Sequence, residues 1–163
     1  MSSLIALWFV PILVLREPRK KGGQSAQALG RSRGGFSTKI HLSVDGLGNP
    51  LRFELTAGQR HDITQAQALI ADFETEHVIA DKGYDSAEFL QSVLSIGAIA
   101  VIPPRSNRKT PQEYDEYLYR ERHLVECFIN KIKHYRHIFS RFDKLSSRFL
   151  GFLSFVGALI WLR

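Results

Sequence analysis

Tyr119, Arg122, Glu126 and Lys133 are spaced Tyr-x2-Arg-x3-Glu-x6-Lys. On an α-helix each residue turns about 100°, so with Tyr119 at the origin Arg122 falls at about 300°, Glu126 at about 340° and Lys133 at about 320°. All four lie within about 60° of one another. Leu124, Val125, Phe128, Ile129, Ile132 and Tyr135 fall on a separate stripe, at about 140–280°. One helix would bury that stripe and display beside it a carboxylate, two cations and a phenol. A lone carboxylate among cations suits a metal ion held next to phosphate. A solvated amphipathic face would carry the same row.

A second carboxylate lies upstream. His77-Val78-Ile79-Ala80-Asp81-Lys82-Gly83-Tyr84-Asp85 reads as a short apolar strand ending at Asp81, with Gly83 letting the chain turn away. Ligand groups gather at the carboxyl ends of strands in open α/β sheets. Asp81 is therefore placed to share a metal with Glu126. Asp85 or Ser86 is expected to cap the following helix, leaving Asp81 free.

The elements that must position these residues follow from local pattern. Residues 19–35 are basic and rich in Gly and Ser, the composition of a linker or loop. Residues 36–44 and 51–56 alternate in the strand manner around Asp45-Gly46-Leu47-Gly48-Asn49-Pro50, which predicts an antiparallel hairpin. Asp45 lies in that turn, away from the strand ends. A helix is predicted from Asp62, its N-cap, to about Phe73. A buried strand follows at 77–80, a helix at 86–96 ending at Gly97, and a strand at 98–102 stopped by Pro103-Pro104. Residues 105–109 form a basic loop, 113–142 contain the helix with the polar row, and 146–162 form a last core helix. No internal repeat is evident.

Composition limits the classes. With 163 residues, 44% of them apolar, one domain can bury a core. The 22 basic and 16 acidic residues leave a formal charge of +6, and the pI of about 9.7 favours a polyanionic partner. The one cysteine, Cys127, excludes an internal disulfide and suits a reducing cytoplasm. As a nucleophile Cys127 would need His123 as its base. One cysteine and scattered histidines do not make a zinc set. His134 and His137 read as phosphate-facing or solvated. The run Leu4–Leu15, broken by Pro11, is too short to span a bilayer and lacks signal-peptide flanks. It is expected to be poorly integrated and prone to aggregation. The run Phe149–Trp161 reads as a core helix. No membrane partner is expected.

Taken together, these stretches resemble bacterial insertion-sequence transposases of the DDE class, with a ribonuclease-H-like catalytic core. The resemblance rests on Gly30-Arg31-Ser32-Arg33-Gly34-Gly35, Thr38-Lys39-Ile40-His41, Gly48-Asn49-Pro50-Leu51, Gly58-Gln59 with His61-Asp62, Ala80-Asp81-Lys82-Gly83-Tyr84-Asp85, Ile102-Pro103-Pro104-Arg105 and the Tyr-Arg-Glu-Lys helix. It covers about residues 20–163. It implies an α/β fold, a mixed sheet flanked by helices, and phosphoryl transfer at DNA ends. Two divalent ions, Mg²⁺ or Mn²⁺, would be held by three carboxylates in the intact enzyme. Asp81 would be the second and Glu126 the third of these catalytic metal ligands. Lys133 and Arg122 would contact phosphate, and Tyr119 would position or stack at the strand end. Arg31, Arg33, Lys39, Arg105, Arg108 and Lys109 would add sequence-independent phosphate contacts. The implied partners are DNA, as element ends and target, and either a second copy or an upstream transposase product, in a cytoplasmic, nucleoid-associated setting. No helix-turn-helix is recognisable.

The family's first Asp precedes the Arg-Ser-Arg-Gly-Gly stretch in a motif like Asp-Ser-Thr. Here residues 1–21 contain no Asp. One permitted set of codons for Leu4–Val10 encodes Asp-Ser-Thr-Met-Val-Arg in another frame. The expectation is an atypical segment over 1–21, out of frame up to about residue 18, joined to a partial DDE catalytic domain over 22–163. The chain would be a frameshifted remnant or the downstream half of an element that joins two frames. The fold would be a truncated ribonuclease-H-like core lacking its central first strand. Two functions stay open: a transposase fragment completed by another source of the first Asp, and an inactive DNA-binding remnant or regulator of transposition. A nuclease working with Asp81 and Glu126 alone is a third.

Overall fold

The computed structural model describes residues 4–14, 27–32, 35–59 and 61–163. At its centre is a mixed sheet of seven strands: β1 (Leu4–Val14), β2 (Gly30–Ser32), β3 (Gly35–Asp45), β4 (Pro50–Ala57), β5 (His77–Ile79), β6 (Ile99–Val101) and β7 (Ser140–Arg141). β1 is antiparallel to β3 on one edge, from Ile5↔Asp45 to Leu13↔Ser37. On its other edge it runs parallel first to β5, through Leu4↔His77 to Ala6↔Ile79, and then to β7, through Leu13↔Ser140. β4 and β2 pair antiparallel with β3, and β6 extends the sheet parallel to β5.

The mixed sheet flanked by helices is as expected. The first strand is not missing: residues 4–14 fill the central position. The physical reason is that an interior strand, buried on both faces, needs a near-continuous apolar run, and Leu-Ile-Ala-Leu-Trp-Phe-Val-Pro-Ile-Leu-Val supplies one. Leu4, Ile5, Ala6 and Leu7 are all buried, the last two completely. The expectation of a poorly integrated end is therefore corrected, because β3 pairs along one edge of β1 and β5 and β7 hold the two ends of the other.

Alternation along β1 sends its residues into two cores. Leu4 and Ala6 join Ile40, Leu42, Val44, Ile79 and Val101 beneath helices α4 (His123–Lys133) and α6 (Ser146–Trp161). Ile5 and Leu7 join Val78 and Ala80 beneath α1 (Ala66–Ile70) and α2 (Ala87–Ser95). The hairpin turn is closed by Asp45, whose Oδ1 accepts from the amides of Leu47 and Asn49, both at 2.9 Å, while Gly48 takes φ +80. Asp62 is not the N-cap expected: it begins a 3-10 turn, Asp62–Gln65, before α1, and His61 holds the cap position. Ser86 caps α2 as expected, accepting from the Phe89 amide at 3.1 Å.

α6 is a core helix along one face only, since Phe155, Leu159 and Trp161, in the run read as core, are exposed. Phe149, Leu153 and Val156 are fully buried, and Trp161 Nε1 donates to the Pro50 carbonyl at 2.8 Å. No described helix is long and apolar enough to cross a membrane. Short helices α3 (Glu116–Tyr119) and α5 (Arg136–Phe139) flank α4, and a 3-10 turn, Arg120–Arg122, joins α3 to α4.

Candidate active site at the carboxyl end of the fifth strand

The polar row forms, and a detail of backbone geometry tightens it. In the 3-10 turn between α3 and α4, side chains three apart eclipse one another. Arg122 accordingly stacks over the Tyr119 ring, its Cζ 5.7 Å from the centroid. The α-helical spacing that follows brings Arg122 Nη2 to 2.9 Å from Glu126 Oε1. The apolar stripe is buried as expected, with Val125, Phe128, Ile129 and Ile132 inside and Leu124 and Tyr135 packed at its margin. Lys133 is exposed in the last turn of α4, about 10 Å along the helix axis from Glu126. At that separation it would meet a different phosphate from the one near Arg122.

Asp81 stands two residues beyond β5, where the second edge of β1 passes from β5 to β7. It caps the 3-10 turn Lys82–Tyr84: its Oδ1 accepts from the Gly83 amide at 2.7 Å. The expectation of a free Asp81 holds for only part of the carboxylate. A Cβ placed on Gly83 would lie 2.7 Å from the same Oδ1, so a larger residue here would have to displace that carboxylate oxygen. Gly83→Ala should push the Asp81 carboxylate off its amide at a cost of about 1 kcal/mol. The Gly83 amide resonance and a urea melt measure the two effects, and an unmoved resonance would contradict the geometry.

Tyr119 links the two carboxylates. Burial is the main influence raising its phenol pKa. The Arg122 guanidinium opposes that rise, while the charge of Asp81, then Tyr114, then Glu126 adds to it. The charges of Asp81 and Glu126, 45 positions apart in the chain, thus both favour the protonated phenol. The phenol stays protonated, a hydrogen-bond donor, throughout the neutral range.

The other cations have different settings. Arg105 donates from Nε to the Lys82 carbonyl at 3.1 Å and from Nη2 to the Gly83 carbonyl at 2.6 Å. Arg108 pairs with Asp85, whose carboxylate is 4% exposed. Lys109 is exposed. Arg31 lies in β2, its side chain outside the described residues, and Arg33 falls outside them altogether. Sequence reasoning missed Tyr114, which meets Tyr119 edge-on at 5.6 Å, and Asp85 as a buried ion-pair partner. An aromatic five residues ahead of Tyr119 was the available signal for the first.

The donor set limits what can be held. Among the described residues no cluster of three or more His, Cys, Asp or Glu side chains could bind a metal ion. Mg²⁺ commonly takes one or two carboxylates together with water and substrate phosphate. Asp81 and Glu126 are side chains of the type that such an ion takes.

Residues 13–160 match the family model for the transposase DDE domain. The chain belongs to that family, whose members generally use divalent metal ions. It is similar to a candidate transposase for insertion sequence element IS6501 from Brucella ovis, with 40% identity over 130 residues, covering 78% of this chain and 100% of that protein. A solved structure of the piggyBac transposase synaptic complex with hairpin DNA is a distant neighbour, at TM-score 0.41 and 12% identity. That alignment covers 65% of this chain and 24% of the piggyBac chain. The family match begins inside β1, so residues 4–12 of that strand lie outside it.

Proposed function

We propose that this chain serves DNA transposition as a DDE-family domain that binds DNA ends while carrying an incomplete carboxylate set. The observation that supports this most is the Tyr119–Arg122–Glu126 row, with Arg122 stacked on Tyr119 and paired with Glu126, in a chain whose Asp81 stands at a strand end and whose described residues hold no cluster of three metal-binding side chains. Tyr119 and Arg122 would meet the strand end, Lys133 and Lys109 the flanking phosphates, and Arg31 and Arg33 the duplex beyond. Asp81 and Glu126 would hold a single Mg²⁺ or Mn²⁺ against the scissile phosphate. In the intact enzyme a third carboxylate, from a restored reading frame or an upstream product, would complete a two-ion site. Residues 22–163, together with β1 at the centre of their sheet, would be the DNA-handling domain. The assembly that acts on element ends and target would contain either a second copy of the chain or that upstream product.

Salt dependence tests the DNA reading. With about four phosphate contacts, affinity for a DNA duplex should fall roughly 100-fold between 50 and 200 mM salt. Lys133→Ala should reduce the log–log slope by about one contact. An affinity that stays flat across this range would overturn the reading.

A further inference from the structure

Arg105 and Arg108 belong to the loop that follows β6, next to the turn that follows β5. Because β5 and β6 are parallel neighbours, both loops leave the same end of the sheet. Pro103-Pro104 holds the approach to Arg105 extended. The contacts between the loops are specific. The Arg105 amide donates to Asp85 Oδ2 at 2.8 Å, and Arg108 pairs with the other oxygen of the same carboxylate. The Arg105 guanidinium reaches back to the carbonyls of Lys82 and Gly83, the residues directly after Asp81. A carboxylate as buried as Asp85 needs such partners, because an uncompensated charge there would be costly. The planar fork of arginine can serve two adjacent carbonyls at once, which the point charge of lysine cannot.

We propose that Arg105, Asp85 and Arg108 form a positioning bracket that fixes the turn carrying Asp81, and that the two arginines are not phosphate contacts. The significance of the bracket rests on the reading of Asp81 as a site carboxylate. Its existence is measurable without that reading. The bracket fixes the carbonyl side of the turn, and Asp81 Oδ1 fixes the amide of Gly83. Losing the bracket frees Gly83 on one side and leaves the Asp81 carboxylate to wander.

The test combines amide exchange with DNA binding in the full chain. Arg105→Ala and Arg105→Lys should each speed exchange of the Gly83 amide about 10-fold or more, a local opening. The Ala80 amide, which donates to Val101 in the sheet, should be unchanged and so separates local from global loosening. The salt slope of DNA binding should stay as in the parent chain for both variants. A phosphate contact gives the opposite pattern: Gly83 exchange unmoved, a slope lowered by about one contact in Arg105→Ala, and recovery in Arg105→Lys. That pattern would overturn the bracket. If Arg105→Ala fails to fold, Arg105→Lys and Arg108→Lys carry the same comparison. Failure of the parent chain to bind DNA would remove the functional reading and leave the exchange result standing.

Discussion

Given Mg²⁺ and a DNA duplex end, the purified chain should yield no strand-transfer product. Members of an interdependent catalytic set are not additive, and removing one costs about as much as removing all, on the order of 10⁴-fold or more. Asp81 and Glu126 are present, and no third acid group joins them among the described residues. Residues 1–21 contain no Asp from which one could come. A single ion can bind phosphate and polarise it, but the attacking and leaving oxygens need stabilisation on both sides. A chain rebuilt with Asp-Ser-Thr over the same stretch of β1 should regain transfer, and Glu126→Ala should abolish it again. Robust transfer by the unaltered chain that disappears with Glu126→Ala would overturn the incomplete-set reading. The nucleotide sequence encoding residues 1–21 is an independent check, since an Asp-Ser-Thr reading there would trace the loss to a change of frame.

Arg141→Met should cost about 3–5 kcal/mol of folding stability, a large part of the usual 5–15 kcal/mol for a domain. Arg141 is completely buried, yet it donates hydrogen bonds to neutral groups. Nε donates to the Asp143 carbonyl at 2.9 Å, Nη1 to the Gln27 carbonyl at 2.9 Å and to Thr38 Oγ1 at 2.7 Å, and Nη2 to the Lys144 carbonyl at 3.3 Å. The guanidinium also stacks on Phe149, 5.4 Å from its centroid. Burial lowers its pKa, partly offset by the charge of Asp143. Methionine would fill the space and strand those acceptors without donors. Lysine would keep the charge but could not span them, so Arg141→Lys should lose at least about 2 kcal/mol. Urea melts with an unchanged m-value measure both; a loss below about 1 kcal/mol would mean that water replaces the network.

Arg141 also marks where sequence reading stops. Nothing local distinguishes it from the other arginines of a basic chain; Gln27 and Thr38 are brought to it by pairing between distant segments. Arg105 and Arg108 were legible as cations, but their carbonyl and carboxylate partners come from the β5 turn and are seen only once β5 and β6 lie side by side. Asp85 read as a helix cap because it precedes Ser86, and the buried ion pair overrode that local preference. What depends on short range was legible. The hairpin around Asp45, the buried face of α4, the Ser86 cap and the position of Asp81 at a strand end all follow from periodicity and turn chemistry. The 3-10 turn at Arg120–Arg122 was not, since no residue there demands it, and it brings Arg122 over the Tyr119 ring within the row that helical spacing predicted. β1 was the largest miss. An apolar run with a proline inside it looks like a loose end until residues 37–45, 77–79 and 140–141 bracket it.

The central place of β1 has a consequence for how such a protein can decay. Its neighbours ask it for oily side chains and for backbone amides and carbonyls, requirements that many unrelated eleven-residue strings satisfy. The reactive group asks for one acid at one point. Architecture and chemistry therefore have very different tolerances at the same strand, and a lesion there can silence the reaction without unfolding the molecule. If Arg122 and Lys133 meet DNA as proposed, a silenced copy that still folds would keep them on display and would compete for the DNA ends that working copies must reach.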